Sequence, residues 1–147
     1  MLNFFDGSEV DKAKKFIVIS IVSFVFAFLG FAYNVWRTEK TESNNNVREA
    51  SFGMLQELAS LEQLVYAIHY DRSDDNGTPR DGWVKVGLIR DMSMLVAPAV
   101  ETKTLNLKHV WAKQWSELAE SKQASDNIVQ AIEEVRVETR LTLKSLD

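Results

Sequence analysis

His69 and His109 are the only histidines of this 147-residue chain, so imidazole chemistry would have to pass through one of them. Neither lies in His-Glu-x-x-His, the spacing that sets two imidazoles on one helix face for zinc. Glu-x-x-His, the di-metal signature of helical bundles, is missing as well. Asp71 is two residues from His69, and residues two apart do not share a helix face. Both histidines adjoin apolar runs and read as residues at the boundary of a core. The chain has no cysteine, which excludes disulfide scaffolds, thiolate metal sites and cysteine nucleophiles. There is no glycine-rich phosphate loop and no Gly-x-Ser-x-Gly elbow. The expectation is a protein without a catalytic constellation, metal centre or cofactor, and so not an enzyme.

The stretch Asp71 to Gly77 (DRSDDNG) is acidic and invites a calcium reading. With Gly77 at loop position six, the ligand positions become Arg72, Asp74 and Asn76, and the closing glutamate becomes Trp83. The pattern fails at both ends, and a solvated turn is the simpler reading.

Aromatic residues are the remaining chemical signal. Tyr66 and Tyr70 are one helical turn apart, and Arg80 and Trp83 approach the same acidic loop from its other side. Tyrosine, tryptophan and arginine carry a disproportionate share of interface energy. These four residues are expected to form a partner surface at the membrane-distal end of the domain. The competing reading is packing at the ends of helices, which is also the reading for Trp111 and Trp115.

Those side chains need elements to hold them. Phe16 to Trp36 (FIVISIVSFVFAFLGFAYNVW) contains no charged residue. As a helix its 21 residues span about 31 Å, matching a hydrocarbon core of roughly 30 Å. Lys14 and Lys15 flank one edge and Tyr33 and Trp36 the other, where amphipathic side chains anchor at the interface. Gly30 and Ala32 would suit a cleavage site, but the apolar run continues past them through Trp36. An uncleaved, single-pass signal-anchor is therefore expected. Lys12, Lys14 and Lys15 lie closer to the segment than Arg37, Lys40 and Arg48 do, which favours a cytoplasmic N-terminus and a non-cytoplasmic C-terminal domain, periplasmic in a Gram-negative cell. Ser23, Ala27 and Gly30 place small residues at spacings that permit close helix approach, so a homo-oligomer is a further expectation.

Beyond the anchor the pattern is helical throughout. Val47, Ser51, Met54, Leu58, Leu61, Val65 and Ile68 alternate spacings of four and three, broadened by Leu55 and Leu64. This coiled-coil-like seam is short and reads as a bundle core. Thr78-Pro79-Arg80-Asp81 has the form of a capped helix start, leading into a second helix to about Val96. Its expected apolar face holds Trp83, Val86, Ile89, Met94 and Leu95. Gly82 and Gly87 are expected to permit close backbone approach to a neighbouring helix. Pro98 ends that helix and opens a third, to about Glu120, with Val100, Thr104, Leu107, Trp111, Trp115 and Leu118 on one face. A connector at 121–125 precedes a fourth helix from about Asp126 to Leu146, faced by Ile128, Ile132, Val135, Thr139, Thr142 and Leu146.

The predicted fold is all-α: one transmembrane helix followed by an antiparallel, up-down-up-down four-helix bundle. Its parts are an N-terminal tail (1–15), the membrane segment (16–36), a juxtamembrane stalk (37–46) and the bundle (47–147). The three lysines before Phe16 balance Asp6, Glu9 and Asp11, so the formal net charge of −4 lies wholly beyond Trp36. That excludes the concentrated basic surface a nucleic-acid binder needs. The expected partners are the lipid bilayer and another membrane or envelope protein. Two functions fit: an adaptor or accessory subunit of an envelope complex, or a ligand-binding sensor that relays through a membrane partner.

Overall fold

A computed structural model describes residues 6–71 and 78–146, with side chains at 11–71, 78 and 80–146. The elements are α1 (Asp6–Tyr66), α2 (Pro79–Val96), α3 (Pro98–Gln114) and α4 (Lys122–Ser145), with no strand among the described residues. The acidic loop from Arg72 to Gly77, with the turn and calcium readings made of it, lies outside the described residues.

The chain divides into two units, 1–42 and 43–147. The first holds the apolar run, one helix long and apolar enough to cross a membrane. Phe16 to Trp36 are exposed all round. Ser20 donates its hydroxyl to the Phe16 carbonyl (2.8 Å), satisfying the group within the helix. The helix begins at Asp6, so most of the expected tail is helical. The expected stalk at 37–46 is helical too.

The second unit is the bundle. In α1, Ser51, Met54, Leu58, Leu61 and Val65 are fully buried, as their spacing predicts. Residue pairs across the helices show antiparallel neighbours. Gly53 faces Met92 while Ser60 bonds Lys85, so numbers rise on α1 as they fall on α2. Ser93 meets Thr104 while Trp83 meets Trp111, giving the same relation for α2 and α3. Lys103 pairs with Glu134 between α3 and α4, and Arg136 pairs with Glu62 between α4 and α1.

The sharp turn between α2 and α3 is one residue long. Ala97 is extended (φ −168°, ψ 152°), the conformation a following proline imposes, and it serves as last cap of one helix and first of the next. Beside it the buried Ser93 and Thr104 hydroxyls bond each other at 2.9 Å and reach the Arg90 and Glu101 carbonyls (2.7 and 2.8 Å). No buried hydroxyl of this pair is left unpaired, which removes a desolvation cost.

Two boundaries and one buried face differ from the periodicity. The α-helix of α3 stops at Gln114 and continues as a 3-10 turn, Trp115–Glu117. The tighter turn takes Trp115 off the buried face and leaves it 36% exposed, while Leu118 still reaches the core. α4 starts at Lys122, not Asp126, because Ser121 caps it, its Oγ accepting from the Ala124 N–H (3.2 Å). In α2, Met94 and Leu95 are exposed, and the buried face is Val86, Ile89, Ser93 and Val96.

The two mid-helix glycines of α2 separate cleanly. A Cβ on Gly82 would stand 2.1 Å from Cζ2 of the fully buried Trp111, a contact that cannot exist. Gly82 is thus the close approach expected of it. Gly87 is not, since a Cβ there meets nothing within 4 Å. The same substitution should have opposite signs at the two sites. Gly87→Ala should stabilise the bundle by about 0.5–1 kcal/mol through helix propensity. Gly82→Ala should cost about 1–3 kcal/mol by overpacking. Thermal unfolding of the two variants beside the parent checks the contrast.

Candidate functional site

The four residues singled out for a partner surface lie at one end of the bundle, opposite the end where the chain enters it at Ser43. They form two pairs. Tyr66 and Tyr70 meet in a tilted ring contact, centroids 6.0 Å apart at 42°, and are 41% and 60% exposed. Arg80 and Trp83 line a separate depression with Thr78 and Trp115. Among the described residues, no hydrogen bond, ion pair or ring contact joins one pair to the other.

The tyrosine pair faces α4. The Tyr66 hydroxyl donates to Glu62 (3.3 Å), and Glu62 in turn accepts from Arg136, which also bonds Glu133. Partial burial, then the Glu62 carboxylate, raises the Tyr66 phenol above its ordinary value. Burial alone would lower the Arg136 guanidinium, but its bonds to Glu62 and Glu133 prevail and the net shift is upward. α1 ends here in a π-helical turn, Ala67–Asp71. The wider turn presents His69 to the connector between α3 and α4, where its Nδ1–H donates to the Leu118 carbonyl (2.9 Å). His69 is thus a structural tie, and His109 lies exposed on α3.

The tryptophan pair is built on Trp111. Its indole lies in the space that Gly82 leaves open and meets Trp83 edge to face, centroids 6.5 Å apart at 89°. The 3-10 turn delivers Trp115 to the opposite wall. The open depression between Trp83 and Trp115 has a volume of about 580 Å³, and among the described residues that line it Arg80 carries a charge. The first turn of α2 is held by Asp81, whose carboxylate accepts from the Thr78 N–H (2.6 Å) and hydroxyl (3.1 Å). Those two bonds lower the Asp81 acid below the usual carboxylate range.

A larger groove of about 850 Å³ runs between α1 and α2. Lys85 lines it, donating to Ser60 (2.7 Å) and pairing with Glu57 (3.5 Å). Among the described residues no three His, Asp or Glu side chains converge as a metal site. In the first unit Tyr33 and Trp36 lie 6.2 Å apart, with the Lys40 ammonium 5.7 Å from the Trp36 ring. Lys14 and Lys15 are exposed beyond the other edge of the apolar run.

Trp115 is the member of the site that periodicity misses, because its spacing continues the seam of α3. No protein-family model matches the chain, and no curated protein and no solved structure matches it. Function is therefore read from the residues themselves.

Asp81 gives the site a defined pH response. Its folded value is depressed, so its contribution to stability is present above the unfolded value of about 4 and lost as pH falls through the folded value. Asp81→Ala should therefore melt below the parent at pH 7, and the gap should close in acid below about pH 3–4. Parallel melting curves across pH 2.5–7 measure it.

Proposed function

We propose that this chain is a single-pass, membrane-anchored helical bundle that acts as an adaptor or accessory subunit of an envelope complex, meeting its partner through the aromatic end of the bundle. The anchor is the uncharged run Phe16 to Trp36, flanked by Lys14 and Lys15 on one side and Tyr33 and Trp36 on the other. The lysine flank favours a cytoplasmic N-terminus, with the bundle on the other side of the cell membrane.

The observation that carries the reading is the gathering of Tyr66, Tyr70, Arg80, Trp83 and Trp115 at one end of the bundle, each partly or largely exposed. Exposed tyrosine, tryptophan and arginine are the residue types that dominate interfaces, and here they stand as two separate pairs at the same end.

Photo-crosslinking residues at 70 and 83 of the full-length protein in native membranes should capture one discrete heterologous protein. The same residue at His109, exposed on α3, should not. Equal capture from all three positions, or adducts between copies of the chain alone, would contradict the adaptor reading.

A further inference from the structure

Buried hydroxyls gather at the end of the bundle where the chain enters it. Ser51, Ser93, Thr104 and Thr139 are all buried, one from each of α1 to α4. Gly53 faces Met92, which brings Ser51 close to the level of Ser93, and Ser93 bonds Thr104. Lys103 pairs with Glu134, and Thr139 lies further along α4 towards the same end. Ser93 and Thr104 bond each other and two carbonyls, and Thr139 donates to the Val135 carbonyl (2.8 Å). Ser51 differs from them. Its Oγ is buried and has no hydrogen-bond partner among the described residues. A hydroxyl in that state penalises the packed form, because water satisfied it in the open one.

The segment of α1 that carries Ser51 also brings little apolar surface to the core. From Ser43 to Gly53 no apolar side chain is fully buried, and Val47 and Ala50 are partly buried. Ser43 to Asn46 are one serine and a run of asparagines, side chains that bond nearby backbone in non-helical conformations. Immediately beyond, Met54, Leu58, Leu61 and Val65 are fully buried. The same helix therefore passes at residue 54 from a lightly anchored stretch to a firmly anchored seam.

We infer that α1 opens locally from Ser43 to Gly53 while Met54 to Val65 stays docked, and that the Ser51 hydroxyl sets how often it opens. Elements with few buried apolar contacts open at lower free energy than the core they adjoin. Opening hydrates the Ser51 Oγ and removes its desolvation cost. The entry end of the bundle can then give while the aromatic end keeps its form. This conformational device is independent of what the aromatic end binds.

The test is hydrogen exchange of the full-length protein in lipid nanodiscs, read by mass spectrometry on its peptides. Amides at 47–53 should exchange faster than those at 58–65. Ile132→Val trims the core of α4, which stays packed when α1 opens locally. It should speed exchange at 58–65 about fivefold and leave 47–53 unchanged. Ser51→Ala removes the unpaired hydroxyl and should slow exchange at 47–53 about tenfold. Equal exchange over the two segments, or equal acceleration of both in Ile132→Val, would mean that the bundle opens as one unit and would overturn the local opening. Unchanged exchange at 47–53 in Ser51→Ala would remove the hydroxyl from the device. Faster exchange there, as when a bonded group is lost, would do the same.

Discussion

The distance between α2 and α3 is set by the indole of Trp111, and that indole fits only because residue 82 has no side chain. Trp111 is the largest fully buried residue of the bundle. Its ring fixes Trp83 from beneath, and the turn that follows it puts Trp115 across from Trp83. At the other end of the same helix pair, the Ser93–Thr104 bond and the extended Ala97 fix the reversal. The α2–α3 pair is therefore pinned at both ends, and the aromatic depression is a product of one of the pins.

The other two helices are tied by charge as well as by the apolar core. Arg136 on α4 reaches Glu62 on α1, and Lys85 on α2 reaches Ser60 and Glu57 on α1. These groups are partly buried, so their pairing is less screened than at an open surface. Glu62 also accepts from Tyr66, which links this clasp to the tyrosine pair at the aromatic end. Polar bonds of this kind restrict how the helices slide, while the buried Met54, Leu58, Leu61, Ile128, Ile132 and Val135 supply the cohesion.

Most of the helical architecture was legible from spacing and caps. The seam from Ser51 to Val65 is buried as its alternation of four and three requires, and Thr78 to Asp81 forms the predicted start of α2. Periodicity failed where local chemistry overrode it. Trp115 continues the α3 pattern in sequence, yet α3 gives way to a 3-10 turn there and the indole stands out of the core. Met94 and Leu95 read as core because α2 is apolar on more than one face, so hydrophobicity alone cannot say which face is buried. The site was half legible: residue type marked Tyr66, Tyr70, Arg80 and Trp83, but their division into two pairs depends on rotation about helix axes that spacing does not resolve. Gly87 shares its residue type with Gly82 and lacks its neighbour, a difference that only the packing of α3 decides.

The central claim is that Trp111 occupies the space beside Gly82 and thereby shapes the aromatic end. The direct measurement is the nuclear Overhauser spectrum of the full-length protein with selectively labelled glycine and tryptophan. The account predicts intense cross-peaks from the Gly82 Hα protons to Hζ2 and Hη2 of Trp111. Their absence, in a sample where Ser93 and Thr104 still show mutual cross-peaks, would contradict it.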